Sequence, residues 1–129
     1  MNWPAALLAL LISHVVGDVL LQTEWQAAHK SKGLDDATAR RALSVHVGIY
    51  TLAFAPALVW IGSDTTVVRA IAVAAVVAIT HLLIDDGRFV RLWLRDVKRA
   101  PDPPLALAIA VDQSFHLLCL LGAALVAAG

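Results

Sequence analysis

His14, Asp18 and Gln22 are spaced i, i+4, i+8, so a helix carries all three on one face. His81 and Asp85 repeat the i, i+4 spacing, Asp112 and His116 repeat it in reverse order, and His46 shares a face with Tyr50. Neutral imidazole and carboxylate are ligands for zinc, iron or manganese, and two of them one helical turn apart can hold an ion from a single helix. His14, Asp18, His46, His81, Asp85, Asp112 and His116 make seven candidate ligands, enough for one or two divalent transition-metal ions. Such an ion would acidify a bound water for attack on a phosphoryl or acyl centre, with Asp18 or Asp85 as general base. Gln22, Tyr50 and Gln113 add uncharged polar groups beside these ligands. The chain has no H-E-x-x-H and no Glu-x-x-His, which argues against a zinc-protease helix and against the usual di-iron bundle.

The elements that must position these residues are membrane helices. Of the 129 residues 60% are hydrophobic, and the mean hydropathy is +0.76. A soluble domain is nearer half apolar. A span needs about 20 mostly apolar residues, and four segments qualify: 3–22, 41–61, 67–84 and 108–128. The expected fold is therefore all-α, a single domain over 1–129 forming a four-transmembrane-helix bundle. No basic residue precedes the first apolar run, so the first segment reads as a retained span. Cys119 lies within an apolar run and reads as a small hydrophobe.

Nine of the ten basic residues lie in two polar connections, 23–40 and 85–103, or at their borders. Basic loops stay cytoplasmic, so both connections are expected inside and both termini outside. At 1.5 Å rise per residue, His14 sits about 12 Å from the cytoplasmic end of its helix, and His46 and His81 about 5–8 Å from theirs. All the candidate ligands therefore fall in the cytoplasmic half, and the outer half is nearly all Ala, Val, Leu and Ile. Within 86–99, Arg88, Arg91, Arg95, Lys98 and Arg99 take one face of a helix and Phe89, Val90, Trp93 and Val97 the other. That is a basic amphipathic helix suited to anionic headgroups at the inner surface. Membrane lipids are the expected partners, with a homo-oligomer also open, and no nucleic acid is expected.

The pattern [S/T]-H-x-x-x-D followed by S-x-H occurs twice in order, at Ser13–Asp18 with Ser44–His46 and at Thr80–Asp85 with Ser114–His116. This is a 2+2 helix internal repeat, whose halves would be related by an axis along the membrane normal. His14-x-x-x-Asp18-x-x-x-Gln22 with Thr23 and Trp25, His46 with Tyr50-Thr51, His81-Leu82-Leu83-Ile84-Asp85 and Asp112-Gln113-x-x-His116 together resemble a family of small bacterial membrane proteins, the domain of unknown function 3307. The resemblance spans nearly the whole chain. It implies a four-helix protein of the bacterial inner membrane and brings no activity with it. The neighbouring Asp85 and Asp86 leave open which carboxylate faces inward.

Charged groups in a span cost several kcal/mol and are normally functional or paired. A metal-dependent hydrolase acting on a membrane-interface or phosphorylated substrate is the leading expectation. Ion- or proton-linked transport is the alternative, opposed by the apolar outer half. A bis-histidine haem bundle is third, and leaves the aspartates without a role.

Overall fold

The computed structural model describes residues 1–32 and 34–129. Among them the regular structure is helical throughout. The elements are α1 (Trp3–Val15) running into a π-helical turn (Val16–Leu20), α2 (Glu24–His29), α3 (Ala37–Ala53), α4 (Ala55–Asp64), α5 (Val67–Asp85), α6 (Arg88–Asp96) and α7 (Leu105–Ala128). Trp3–Leu20, Val67–Asp85 and Leu105–Ala128 are each long and apolar enough to cross a membrane, and the bent pair α3–α4 supplies a fourth span if counted as one.

The bend divides the single span expected over 41–61. The helix begins at Ala37, where the Asp36 side chain accepts from the Ala39 amide as an N-cap. It breaks after Ala53 and turns by 45° into α4. Pro56 explains the break, because it has no N–H to give and its ring collides with the carbonyl one turn back. Phe54 fills the inside of the corner and is fully buried.

The helices form an up-down bundle. The Met1 ammonium pairs with Asp64 at 3.2 Å, so the N-terminus and the α4–α5 turn share one end. Ala127 packs in the same core as Ala6, which brings the C-terminus to that end as well. The core there is apolar and small. Ala6, Ala57, Ala123, Ala124 and Ala127 are buried with Leu10, Ile61, Val73 and Val77, whereas Leu8, Ile12, Val59, Val68 and Ile71 point outward. Small residues inside let helix backbones approach closely, and large apolar ones outside suit lipid.

The other end carries the connections. Thr23 and Gln26 form a reciprocal capping box that starts α2. Gly87, at φ +76°, ends α5 and turns the chain into α6, a conformation costly for any other residue. On α6 the apolar face is divided. Val90 and Leu94 are buried with Ile84 and Val111, while half-exposed Phe89 and Trp93 pack edge-on against Phe115 of α7 at 4.7 and 5.2 Å. The helix is thus docked on the bundle. Its basic face is also less free than its sequence suggests. Arg88 pairs with Asp86, Arg95 pairs with Asp96 at 2.6 Å, and Arg91 donates to the Ser31 carbonyl at 3.0 Å. The Asp96 carboxyl, hydrogen-bonded by Arg95, is held below the ordinary aspartate range.

Candidate metal centre

Four of the sequence-selected side chains meet at one point. Asp18 comes from the π-helical turn, His46 from α3, and His81 and Asp85 from α5, and all four are buried. Asp18 reaches the point because the first span approaches α3 closely. A Cβ on Gly17 would lie 2.9 Å from Tyr50 Cδ2 and 3.1 Å from Tyr50 Cα, so only glycine fits the crossing. His81 and Asp85 share a face by their i, i+4 spacing.

The donor atoms form a compact set. His46 Nε2 lies 2.9 Å from His81 Nε2, 2.9 Å from Asp85 Oδ2 and 3.2 Å from Asp18 Oδ1. His81 Nε2 lies 3.1 Å from Asp85 Oδ2 and 3.9 Å from Asp18 Oδ1. A tetrahedron of nitrogen and oxygen ligands about 2.0–2.1 Å from zinc has edges of about 3.3–3.4 Å. The five distances straddle that value. Asp18 Oδ1 makes no hydrogen bond, although it is buried and within 3.2 Å of an imidazole. The Nδ1 atoms of His46 and His81 also have no partner among the described residues, so both rings act through their Nε2 edge.

A polar relay behind the cluster orients it. The Tyr50 hydroxyl lies 2.9 Å from His14 Nδ1, and His14 Nε2 lies 3.0 Å from Gln113 Oε1. The amide oxygen can only accept, so His14 carries its proton at Nε2 and accepts a hydrogen bond from the Tyr50 hydroxyl at Nδ1. Gln113 Nε2 then donates to Asp18 Oδ2 at 3.1 Å and to Asp112 Oδ2 at 3.2 Å. This occupies one oxygen of Asp18 and leaves Oδ1 for the cluster. His14, expected as a ligand, is therefore a link in the relay, with both nitrogens engaged. Tyr50 also stacks flat on His81, with centroids 3.4 Å apart, which fixes that ring.

Asp85 is the inward carboxylate of its pair, and Asp86 stands outside the cluster with Arg88. His116 approaches the other oxygen of Asp85, and Asp112 lies beside it on the same helix. Gln22 is also at the site, accepting from Lys30. Lys30 is the residue that sequence reasoning missed. Its ammonium lies 2.6 Å from Asp85 Oδ2, 3.5 Å from Asp18 Oδ1 and 3.4 Å from His46 Nε2. The signal was present: Thr23-x-x-Gln26 is a capping-box pattern, and the short helix that it starts carries Lys30 back over the bundle end.

A cavity of about 590 Å³ opens beside the cluster. Asp18, Lys30, Asp85, Arg91, Asp112 and Gln113 supply its polar lining, and Val19, Leu94 and Ile109 are part of an apolar wall.

No curated protein and no solved structure matches the chain. Residues 6–128 match the family described as Protein of unknown function (DUF3307), and the chain, with its buried His/Asp cluster at one end of a helical bundle, belongs to that family.

Proposed function

We propose that this is a metal-dependent hydrolase of the bacterial inner membrane, acting on a phosphorylated, membrane-interface substrate from the cytoplasmic side. The observation that carries the reading is the convergence of Asp18 Oδ1, His46 Nε2, His81 Nε2 and Asp85 Oδ2, with separations suited to one divalent ion. Zinc, iron and manganese all fit this ligand set. The charge favours a cation too, because two buried carboxylates face the single ammonium of Lys30. In this arrangement Asp18 and Asp85 are ligands, in place of the free general base that their sequence positions suggested.

An ion held there supplies Lewis acidity and a water acidified toward neutrality. The chain does the rest. Lys30 and Arg91 place positive charge in the cavity for a phosphate group, and the apolar wall accepts a lipid-like portion. Hydrolysis would add the water oxygen to phosphorus, break the bond to the leaving oxygen and return the proton to that oxygen. The cytoplasmic placement rests on the basic residues of the two connections at this end of the bundle. Transport is less well supported, because the core at the opposite end is apolar. A haem is disfavoured because His46 and His81 hold their Nε2 atoms 2.9 Å apart, with no room for a porphyrin between them.

Elemental analysis of protein purified in detergent without chelators tests this reading. At least one equivalent of zinc, iron or manganese is expected, and the His46→Ala, His81→Ala double variant should lose it while still inserting in membranes. Full occupancy in that variant would remove these ligands from consideration.

The basic face of α6 gives a second expectation. Neutralising Arg88, Arg91 and Arg95 should lower the share of anionic lipid that co-purifies with the protein. Each free basic residue near an anionic surface contributes about 1 kcal/mol, but Arg88 and Arg95 already face Asp86 and Asp96. The Arg91→Gln change alone should therefore account for most of the loss. Equal effects from all three single changes would contradict the pairing.

A further inference from the structure

We propose that the cluster binds a second divalent cation, joined to the first through Asp85 and held by His116 and Asp112. The inference rests on the metal-centre reading above and deepens it from one ion to a bridged pair.

The two oxygens of Asp85 face different partners. Oδ2 meets His46, His81 and Lys30, whereas Oδ1 lies 3.3 Å from His116 Nε2. A carboxylate with a separate ligand set on each oxygen is the geometry of a bridge, and bridged ions sit about 3.5–4 Å apart in two-metal hydrolytic sites. His116 is set up as a ligand. Its Nδ1 lies 3.0 Å from the Asp112 main-chain carbonyl, which can only accept, so Nδ1 carries a proton and the neutral ring has its lone pair on Nε2. A hydrogen bond that fixes the tautomer in this way is the common support of a metal-bound histidine.

Nε2 of His116 is buried and makes no hydrogen bond, although a carboxylate oxygen stands 3.3 Å away. At this distance and away from water, a carboxylate oxygen and Nε2 need a positive charge between them, a proton on the ring or a bound cation. Asp112 supplies a third ligand, since one donor atom from each of Asp85, Asp112 and His116 lies within 4.8 Å of the others. Its side chain is 30% exposed and lines the cavity, which leaves this second position open to a substrate. Three protein ligands with an open position is the pattern of catalytic metal sites.

Charge gives the second position a purpose. Asp18, Asp85 and Asp112 against Lys30 and Arg91 leave a net charge of −1. One divalent ion brings this to +1 and a second to +3, which strengthens the attraction for a phosphate group.

Manganese binding to the detergent-purified protein tests the proposal, with stoichiometry from equilibrium dialysis and coupling from electron paramagnetic resonance. Two equivalents and an exchange-coupled spectrum are expected for the native chain. His116→Gln and, separately, Asp112→Asn should each retain one equivalent with an uncoupled six-line spectrum. One equivalent in the native chain, uncoupled and unchanged by His116→Gln but lost with His46 and His81, overturns the second ion and leaves the single-ion reading standing. No bound manganese or zinc in the native chain overturns both. The native spectrum decides the matter even if a variant fails to fold.

Discussion

Asp85→Asn should abolish metal binding by this protein. Each Asp85 oxygen faces its own ligands, with His46 and His81 on one and His116 on the other. Replacing the carboxylate by an amide removes a negative charge and presents an N–H₂ where an anion is needed. Loss of a residue that merely supports a ligand typically costs 10–100-fold in affinity, so loss of this shared ligand should cost more than about 100-fold. The same change strips Lys30 of its nearest carboxylate, at 2.6 Å. Leaving one partner of a buried ion pair without the other is strongly destabilising, by about 3–5 kcal/mol in well-buried cases. Lys30 keeps some access to water, which places its loss below that range. Calorimetric titration with zinc, next to a thermal melt in detergent, separates the two effects. Near-native affinity in the variant would show that Asp85 is a structural acid only.

Gly17→Ala should distort the site without replacing any of its candidate ligands. The added methyl carbon would lie 2.9 Å from Tyr50 Cδ2 and 3.1 Å from Tyr50 Cα. The tyrosine ring cannot give way easily, since it is stacked on His81 and hydrogen-bonded to His14. The backbone atom cannot give way at all unless α3 moves. Overpacking of this kind costs about 1–3 kcal/mol. Because Asp18 is the next residue, the strain is relieved by shifting one ligand of the cluster. A lower melting temperature and weaker metal binding are expected together. Gly48 is the control, because a Cβ there meets nothing within 4 Å. If Gly17→Ala behaves like Gly48→Ala, the crossing is looser than the structure implies.

The legible features were those with a local rule behind them. The i, i+4 spacing placed His81 with Asp85 and Asp112 with His116, and the structure brings both pairs to the same end of the bundle. The four apolar runs correspond to three helices long and apolar enough to cross a membrane and to the bent pair α3–α4, and basic residues marked the end that holds the cluster. What escaped depended on tertiary contact. His14 has the same spacing to Asp18 as His81 has to Asp85, yet Gln113 and Tyr50 engage both its nitrogens, and both partners are distant in sequence. Lys30 looked like a topology charge because nothing local says that a loop lysine folds back onto two carboxylates. The choice between Asp85 and Asp86 turned on where α5 ends, and Gly87 sets that end. Pro56 carried a signal for the break in the second span that went unread, because the hydropathy runs through it unbroken.

The apolar half of the bundle has an electrical consequence. In a bilayer the transmembrane voltage falls mainly across the region of lowest polarity. Here that region is the end built from Ala6, Leu10, Ala57, Ile61, Val73 and Ala124, between the cluster and the termini. A charge that crosses the whole field changes energy by about 2.3 kcal/mol per 100 mV. A cation entering from the cavity stops before most of that drop. Its binding should therefore generate almost no gating current and should hold its affinity as the membrane is polarised or depolarised, so that the centre works at the potential of the compartment it opens to.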